Sequence, residues 1–108
     1  MSEDRPAVLL RDNPDGSEYE AVVDGKVIGI IGYEDAHQRR ILINTAVDPE
    51  YRHHGVAHQL IAYALDDIRD HHRTISIMCP IVGEFIQEHP EYAGLIDPEH
   101  PGRAPRPA

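Results

Sequence analysis

The chain has 108 residues, a length that suits a single domain, and its 41% hydrophobic and 27% charged residues are typical of a soluble globular protein rather than a disordered or fibrous one. The net charge of -9 argues against nucleic acid as a partner, because neutralising phosphates requires a basic face. No apolar run approaches the roughly 18 residues of a membrane span, so we expect a cytoplasmic protein, a monomer or weak homodimer, with no membrane partner.

The N-terminal part of the chain is predicted to form antiparallel strands. Residues 7–10 are a short apolar stretch, and residues 8–12 are interpreted as a short strand or an ordered lead-in. Residues 18–23 and 26–33 are richer in β-forming residues and flank Asp24 and Gly25. This dipeptide is the strongest short-range signal for a hairpin, because both positions of a type I′ turn need a positive φ.

A third long strand is predicted after a polar turn at residues 34–38. Residues 39–47 alternate as a strand does, which predicts two faces. One face contains Ile41, Ile43 and Thr45, and the other contains Leu42, Asn44 and Ala46. The strands before Asp48 and Pro49 are therefore expected to form a meander, which proline ends because it offers no donor to the ladder.

The C-terminal half is predicted to contain a parallel strand-helix-strand unit. Residues 56–70 carry a wide apolar stripe at the helical period, and residues 74–78 form a short β-branched strand. A second helix over residues 82–88 follows Pro80. We therefore expect an α+β fold with a domain over residues 1–96. Residues 97–108 are rich in proline and are predicted to be a loosely ordered tail.

The segment between the predicted strand and helix has the properties of a phosphate site. Arg52 can donate to a phosphate oxygen, and Gly55 and Ala57 let an anion approach the backbone closely. A helix N-terminus also presents unpaired N–H groups and the positive end of the helix dipole. Residues 51–65 contain no Asp or Glu, although the chain has nineteen acidic residues. Physical chemistry alone therefore predicts an anion site here.

The run from Arg52 to Ala57 also resembles a known signature, Arg/Gln-x-x-Gly-x-Gly/Ala, of the GNAT superfamily of acyl-CoA N-acyltransferases. The resemblance extends over nearly all of the chain before the tail. Through residues 44–47, the helix at 56–70, Cys79-Pro80 and residues 86–92, the chain resembles the minimal, YjdJ-type members. It implies a three-layer α/β arrangement of the GNAT type and the transfer of an acetyl group from acetyl-CoA to an amine, on a small molecule or a protein.

The resemblance also implies a cofactor site. Coenzyme A would lie with its pantetheine arm along the strand that precedes the turn, and with its pyrophosphate on the amides of the turn. The residues implied to bind it are Asn44, Thr45, Ala46, Val47, Arg52, His53, His54, Gly55, Val56, Ala57 and His58. The family commonly has histidine where Asn44 stands, and an asparagine cannot act as a general base.

Cys79 is the candidate catalytic residue. It is the only cysteine, so it cannot form an internal disulfide. Its predicted position at the carboxyl end of a parallel strand is where open α/β sheets bind ligands. Free cysteine is also often a small buried apolar residue, so a packing role stays open.

The residues also suggest other interpretations. The eight histidines suggest a metal, but no cysteine pair or metalloprotease motif accompanies them, and we predict no metal site. His89 and Tyr92 either line an acceptor cleft or pack at a helix end. Finally, the small size is compatible with a non-catalytic module that binds or senses acyl-CoA, or with a subunit whose acidic surface binds a basic protein.

Overall fold

A computed structural model of the chain describes residues 7–103. Five strands form one sheet in chain order: β1 (Leu9–Asn13), β2 (Glu18–Val23), β3 (Lys26–Ala36), β4 (Arg39–Val47) and β5 (Thr74–Ile77). Two α-helices complete it: α1 (Val56–Asp70) between β4 and β5, and α2 (Pro80–Glu88) after β5. β1 to β4 are antiparallel neighbours, and β4 and β5 are parallel. The α+β class, the meander and the parallel strand-helix-strand unit are therefore confirmed.

The hairpin between β2 and β3 follows directly from its two turn residues. Asp24 and Gly25 have φ of 51° and 79°, as a type I′ turn requires. The next turn is shorter than predicted, because β3 continues to Ala36 and only His37 and Gln38 connect it to β4. The prediction of a polar turn over residues 34–38 is therefore wrong. The polar residues there are strand residues, since Asp35 lies opposite Arg40 in the ladder.

The core lies on one face of the sheet. Both α-helices contribute to the same buried cluster as the inward-facing residues of the strands. Helix α1 buries one stripe against the sheet, at Val56, Leu60, Ile61, Ala64, Leu65 and Ile68. Each fully buried Leu or Ile stabilises the fold by about 1.5–3 kcal/mol. Within residues 7–103, none of the helices is long and apolar enough to cross a membrane.

A buried arginine connects three of the strands with helix α1. Arg40 is 7% exposed and donates to both carboxylate oxygens of Asp35, at 2.7 and 2.9 Å, and to the Tyr19 hydroxyl at 2.8 Å. Its guanidinium lies 3.8 Å from the centre of the Tyr33 ring. Tyr19 in turn donates to Asp67 of α1. The network therefore joins β2, β3, β4 and α1 through one cation.

This network predicts how stability depends on pH. The hydrogen bonds from Arg40 hold the pKa of Asp35 below its ordinary value. Partial burial raises this pKa, and the charge of Arg73 lowers it further. Folding lowers this pKa, so ionised Asp35 stabilises the folded state. The stabilisation is fully present above the pKa of Asp35 in the unfolded chain, near 4, and is lost as the pH falls through its pKa in the folded protein. We expect the free energy of unfolding to fall below pH 4, and Asp35→Asn to flatten that fall. Urea denaturation from pH 6 to 2 measures it, and equal slopes in both proteins would contradict it.

The C-terminal segment is more ordered than predicted. Residues 96–103, which we call the strap, run along the outer edge of β5 with isolated parallel bridges from Ile75 to Ile96 and from Ile77 to Gly102. The amide of Asp97 donates to the Ile75 carbonyl at 2.9 Å, and that of Ile77 donates to the Pro101 carbonyl at 3.0 Å. The expectation of loose order is therefore wrong for residues 97–103. The rest of the predicted tail, residues 104–108, lies outside the described residues.

Candidate functional site

β4 and β5 separate midway along β4, which opens the sheet. Their ladder runs only from Arg39 and Thr74 to Leu42 and Ile77. One further hydrogen bond follows, from the Met78 amide to the Leu42 carbonyl at 2.8 Å. Beyond it, the part of β4 over residues 43–47 has no β5 partner in the described ladder. Apart from the Val47 carbonyl, which accepts from Arg52 Nε, its backbone groups on that side are therefore available to a ligand.

A β-bulge at the same point changes which side chains face the opening. Gly32 lies opposite Asn44 and Tyr33 lies opposite Leu42, so Ile43 is an extra residue in β4. The prediction that Ile41, Ile43 and Thr45 share a face is therefore wrong, because one extra residue reverses the alternation. Thr45 shares the face of buried Leu42. Asn44 is on the opposite face, where its Oδ1 would lie 2.6 Å from a Cβ at Gly32.

The turn between β4 and α1 presents a free helix N-terminus. A 3-10 turn at Pro49–Tyr51 leads to Arg52 and His53, which has a φ of 67°. Gly55 precedes the helix with a φ of 80° and forms no side-chain cap. Its carbonyl accepts the first helical bond, from Gln59 at 3.0 Å. The amides at the start of a helix have no intrahelical acceptor, so this end can bind an anion.

A cavity of about 580 Å³ lies between the end of β4 and the start of α1. Most of the residues implied by the resemblance line it, namely Thr45, Ala46, Val47, Arg52, His53, Gly55, Val56, Ala57 and His58. Asn44 and His54 are not among the lining residues. Tyr51 and Ile81 also line the cavity, and the sequence interpretation missed them. Ile81 could have been found from the sequence as a large apolar residue beside Pro80, which starts the helix. The Ile81 side chain is 41% exposed.

The cavity rim is basic. Arg52 Nε donates to the Val47 carbonyl at 3.0 Å, which anchors this exposed side chain at the rim. His53 and His58 also line the cavity, and the segment over residues 51–65 contributes no carboxylate. A protein with a net charge of -9 thus has a local site suited to an anion.

Cys79 lies next to this cavity but does not line it. The residue is 4% exposed and occupies the N-cap position of α2 without a side-chain capping bond. Its Sγ is 3.3 Å from the Oγ1 of Thr45, which does line the cavity. The structure therefore brings the candidate catalytic thiol together with the opened half of β4, although the two are far apart in sequence.

His89 and Tyr92 serve the packing of the helices. The Tyr92 hydroxyl donates to Asp66 of α1 at 2.8 Å, and this bond, with burial, raises the pKa of the phenol. The His89 ring stacks on Phe85 with centroids 4.1 Å apart, and its Nδ1 is 2.9 Å from the Phe85 carbonyl. Neither residue lines the cavity. Within residues 7–103, no group of three or more His, Cys, Asp or Glu residues is arranged to hold a metal ion.

A family model matches most of the chain. The model for the GCN5-related N-acetyl-transferase matches residues 18–95, from the start of β2 to the end of the turn after α2. A search of curated proteins finds no match.

Solved structures share the fold at low sequence identity. The ribosomal-protein-S18-alanine N-acetyltransferase of Escherichia coli has a TM-score of 0.52 and 20% identity over 56% of this chain and 39% of its own. Ard1 from Thermoplasma volcanium has a TM-score of 0.52 and 24% identity over 61% of this chain and 45% of its own. N-acetylglutamate synthase from Neisseria gonorrhoeae, complexed with coenzyme A and N-acetyl-glutamate, has a TM-score of 0.55 and 18% identity over 76% of this chain and 22% of its own. The chain therefore spans less than half the length of these proteins.

Proposed function

The chain belongs to the GCN5-related N-acetyltransferase family, and from this membership we propose that it binds acetyl-CoA and transfers the acetyl group to an amine. The observation that carries the proposal is the cavity between the opened half of β4 and the N-terminus of α1. A strand edge with free backbone groups suits the amides of a pantetheine arm, and a helix N-terminus with a basic rim suits a pyrophosphate. The two lie side by side in the order that coenzyme A requires.

The cofactor assignment can be stated for each part. The backbone of residues 44–47 binds the pantetheine arm, and the amides of residues 53–57 bind the pyrophosphate with Arg52. His54 and His58 flank this turn, and His58 lines the cavity. Backbone N–H groups near Val47 polarise the thioester carbonyl, so that negative charge developing on its oxygen is stabilised.

Cys79 is proposed to act on the acetyl group. Strand β4 contains no Asp or Glu to serve as a general base, and the Cys79 thiol is the ionisable group that reaches Thr45. In direct transfer, the thiol gives its proton to the departing CoA thiolate as the amine attacks. In a covalent route, its thiolate attacks the thioester and releases CoA, and the amine then attacks the acetylated cysteine.

A variant of Cys79 tests this role. We expect Cys79→Ala to lower kcat at least about 100-fold, with little change in the affinity for CoA, since the residue is adjacent to the cavity and not part of its lining. Mass spectrometry of the wild-type protein after incubation with acetyl-CoA, without an acceptor, separates the two routes, because only the covalent route leaves an acetyl group on Cys79. Unchanged turnover in Cys79→Ala would rule out both.

The proposed activity is tested by thiol release from acetyl-CoA against a panel of amines and peptides. Release that depends on an amine is the expected result. Cofactor binding without turnover for any acceptor would instead indicate a non-catalytic module.

The acidic character of the chain favours a cationic amine such as a lysine side chain or a polyamine. We also propose that the protein acts in the cytoplasm as a monomer or weak homodimer.

A further inference from the structure

The strap, residues 96–103, is attached to the part of β5 that leads directly to Cys79. On the inner side, the ladder with β4 ends with the bond from the Met78 amide to the Leu42 carbonyl at 2.8 Å. On the outer side, both backbone groups of Ile77 bond to the strap: its N–H donates to Pro101, and its carbonyl accepts from the Arg103 amide. Ile77 is two residues before Cys79.

Side chains reinforce the attachment of the strap at the middle of β5. The buried Ser76 hydroxyl donates to the His100 carbonyl. Arg39 of β4 donates to that hydroxyl at 2.8 Å and lies 3.8 Å from the Asp97 carboxylate. β4, β5 and the strap are therefore connected through Ser76 as well as through the backbone.

Gly102 is the position where the strap approaches β5 most closely. A Cβ there would lie 2.8 and 2.9 Å from the backbone nitrogen and carbon of Ile77 and would collide with its oxygen. The residue also has a φ of 73°, which disfavours any L side chain. Only glycine therefore allows both strap bonds to Ile77.

We propose that Gly102 is a positioning residue, through which the strap fixes the end of β5 and places the Cys79 thiol against Thr45 and the acetyl group. The catalytic part of this inference rests on the proposed function. The thiol follows a strand end that β4 holds at Met78 and the strap holds at Ile77, so a displacement of the strap at Ile77 changes the distance between the thiol and Thr45.

Gly102→Ala and a matched control test the proposal. Gly94 provides the control, because its φ is not positive and a Cβ there meets nothing within 4 Å. We expect Gly102→Ala to lower kcat about tenfold while the KM for acetyl-CoA changes less than about twofold, since small misplacements of a reacting group reduce the rate and leave cofactor binding intact. Gly94→Ala should match the wild type in both constants. Equal kcat in the two variants would overturn the proposal.

A second measurement does not depend on turnover. Cys79 is the only cysteine, so its rate of alkylation by iodoacetamide reports the environment of that thiol alone. The rate, measured from pH 6 to 9 without cofactor, should change at least about threefold in Gly102→Ala and not in Gly94→Ala. Superimposable profiles would overturn the proposal even if the protein turns over acetyl-CoA. If wild-type protein fails to bind CoA, the proposed function fails, while this comparison still decides whether the strap positions the thiol.

A milder variant covers the possibility that Gly102→Ala does not fold. Ser76→Ala removes the hydroxyl that joins the strap to β4 and β5 without a backbone clash. It should lower kcat about threefold with an unchanged KM and shift the alkylation profile in the same direction. A wild-type kcat and profile in this variant would count against the strap as a positioning element.

Discussion

Replacing Gly55 with aspartate should weaken the binding of coenzyme A about 100-fold, whereas replacing it with asparagine should weaken it less than about fivefold. Gly55 has a left-handed conformation with a φ of 80°, which Asn and Asp tolerate better than other L residues. A Cβ there meets nothing within 4 Å, so both side chains fit. The two variants have nearly the same shape and differ by one negative charge, placed where the pyrophosphate is proposed to bind.

The size of the effect follows from electrostatics. Two unit charges about 4 Å apart repel by roughly 4 kcal/mol near a protein surface, and solvent screening reduces this value. A loss of about 2.7 kcal/mol corresponds to the 100-fold change. Isothermal titration with CoA measures it in both variants.

Stability separates this result from misfolding. Aspartate is a good residue before the first helical turn, so Gly55→Asp should unfold at the same temperature as Gly55→Asn or a higher one. If both variants lose affinity for CoA equally, a changed shape of the turn explains the loss, and the added negative charge does not. If neither loses affinity, the pyrophosphate does not bind at the start of α1.

Replacing Arg40 with methionine should lower the free energy of unfolding by about 3 kcal/mol. Methionine retains the apolar stem but removes the cation that Asp35 and Tyr19 both contact. The hydrogen bonds from this buried guanidinium are charge-assisted, and such bonds contribute about 1.5–3 kcal/mol each. The Asp35 side chain is 38% exposed and keeps Arg73 at 3.2 Å, so the loss stays below that of a fully buried ion pair. For a domain of this size, such a loss is a large part of the total stability.

Arg69→Met is the matched control for this prediction. Arg69 pairs with Asp66 at 2.8 Å, but both side chains are about half exposed. Exposed ion pairs contribute about 0–1 kcal/mol, so the control should unfold at nearly the wild-type urea concentration. Similar losses in the two variants would contradict the assignment of Arg40 as the cation that holds the sheet to α1.

Much of the fold could be predicted because local signals agreed with the global arrangement. The bounds of β2, β4 and α1 match the prediction residue for residue. Asp24-Gly25 sets the hairpin, and the apolar stripe of α1 sets the face that packs on the sheet. In each case the property that decides the structure is carried by neighbouring residues.

The features that were not predicted depend on contacts between distant residues. The bulge at Ile43 is a property of the pairing between β3 and β4, and the alternation along β4 gives no sign of it. The strap is held by backbone bonds to β5, which do not require an apolar pattern, so a proline-rich composition concealed it. The length of β3 was underestimated because Asp35 is stabilised in the strand by Arg40, which lies beyond the turn.

The candidate site shows the same division. The turn at residues 52–57 was predicted because a strand, a glycine and a helix start are local in sequence. The contact between Thr45 and Cys79 and the contributions of Tyr51 and Ile81 to the cavity depend on where β5 and α2 lie. Asn44 was assigned to the cofactor through its backbone, and its side chain is on the face that the bulge turns away from the cavity.

Titration of acetyl-CoA, followed by two-dimensional amide NMR of isotopically labelled protein, reports which backbone amides contact the cofactor. We expect the largest shifts at the amides of residues 53–58 and 45–47, with smaller ones around Cys79. We expect little change at Glu18 and Gly32, which pair on the face of the sheet opposite the core residues Tyr19 and Ile31. Shifts concentrated on that face, with the amides at the start of α1 unmoved, would contradict the assignment of this helix end as the cofactor site.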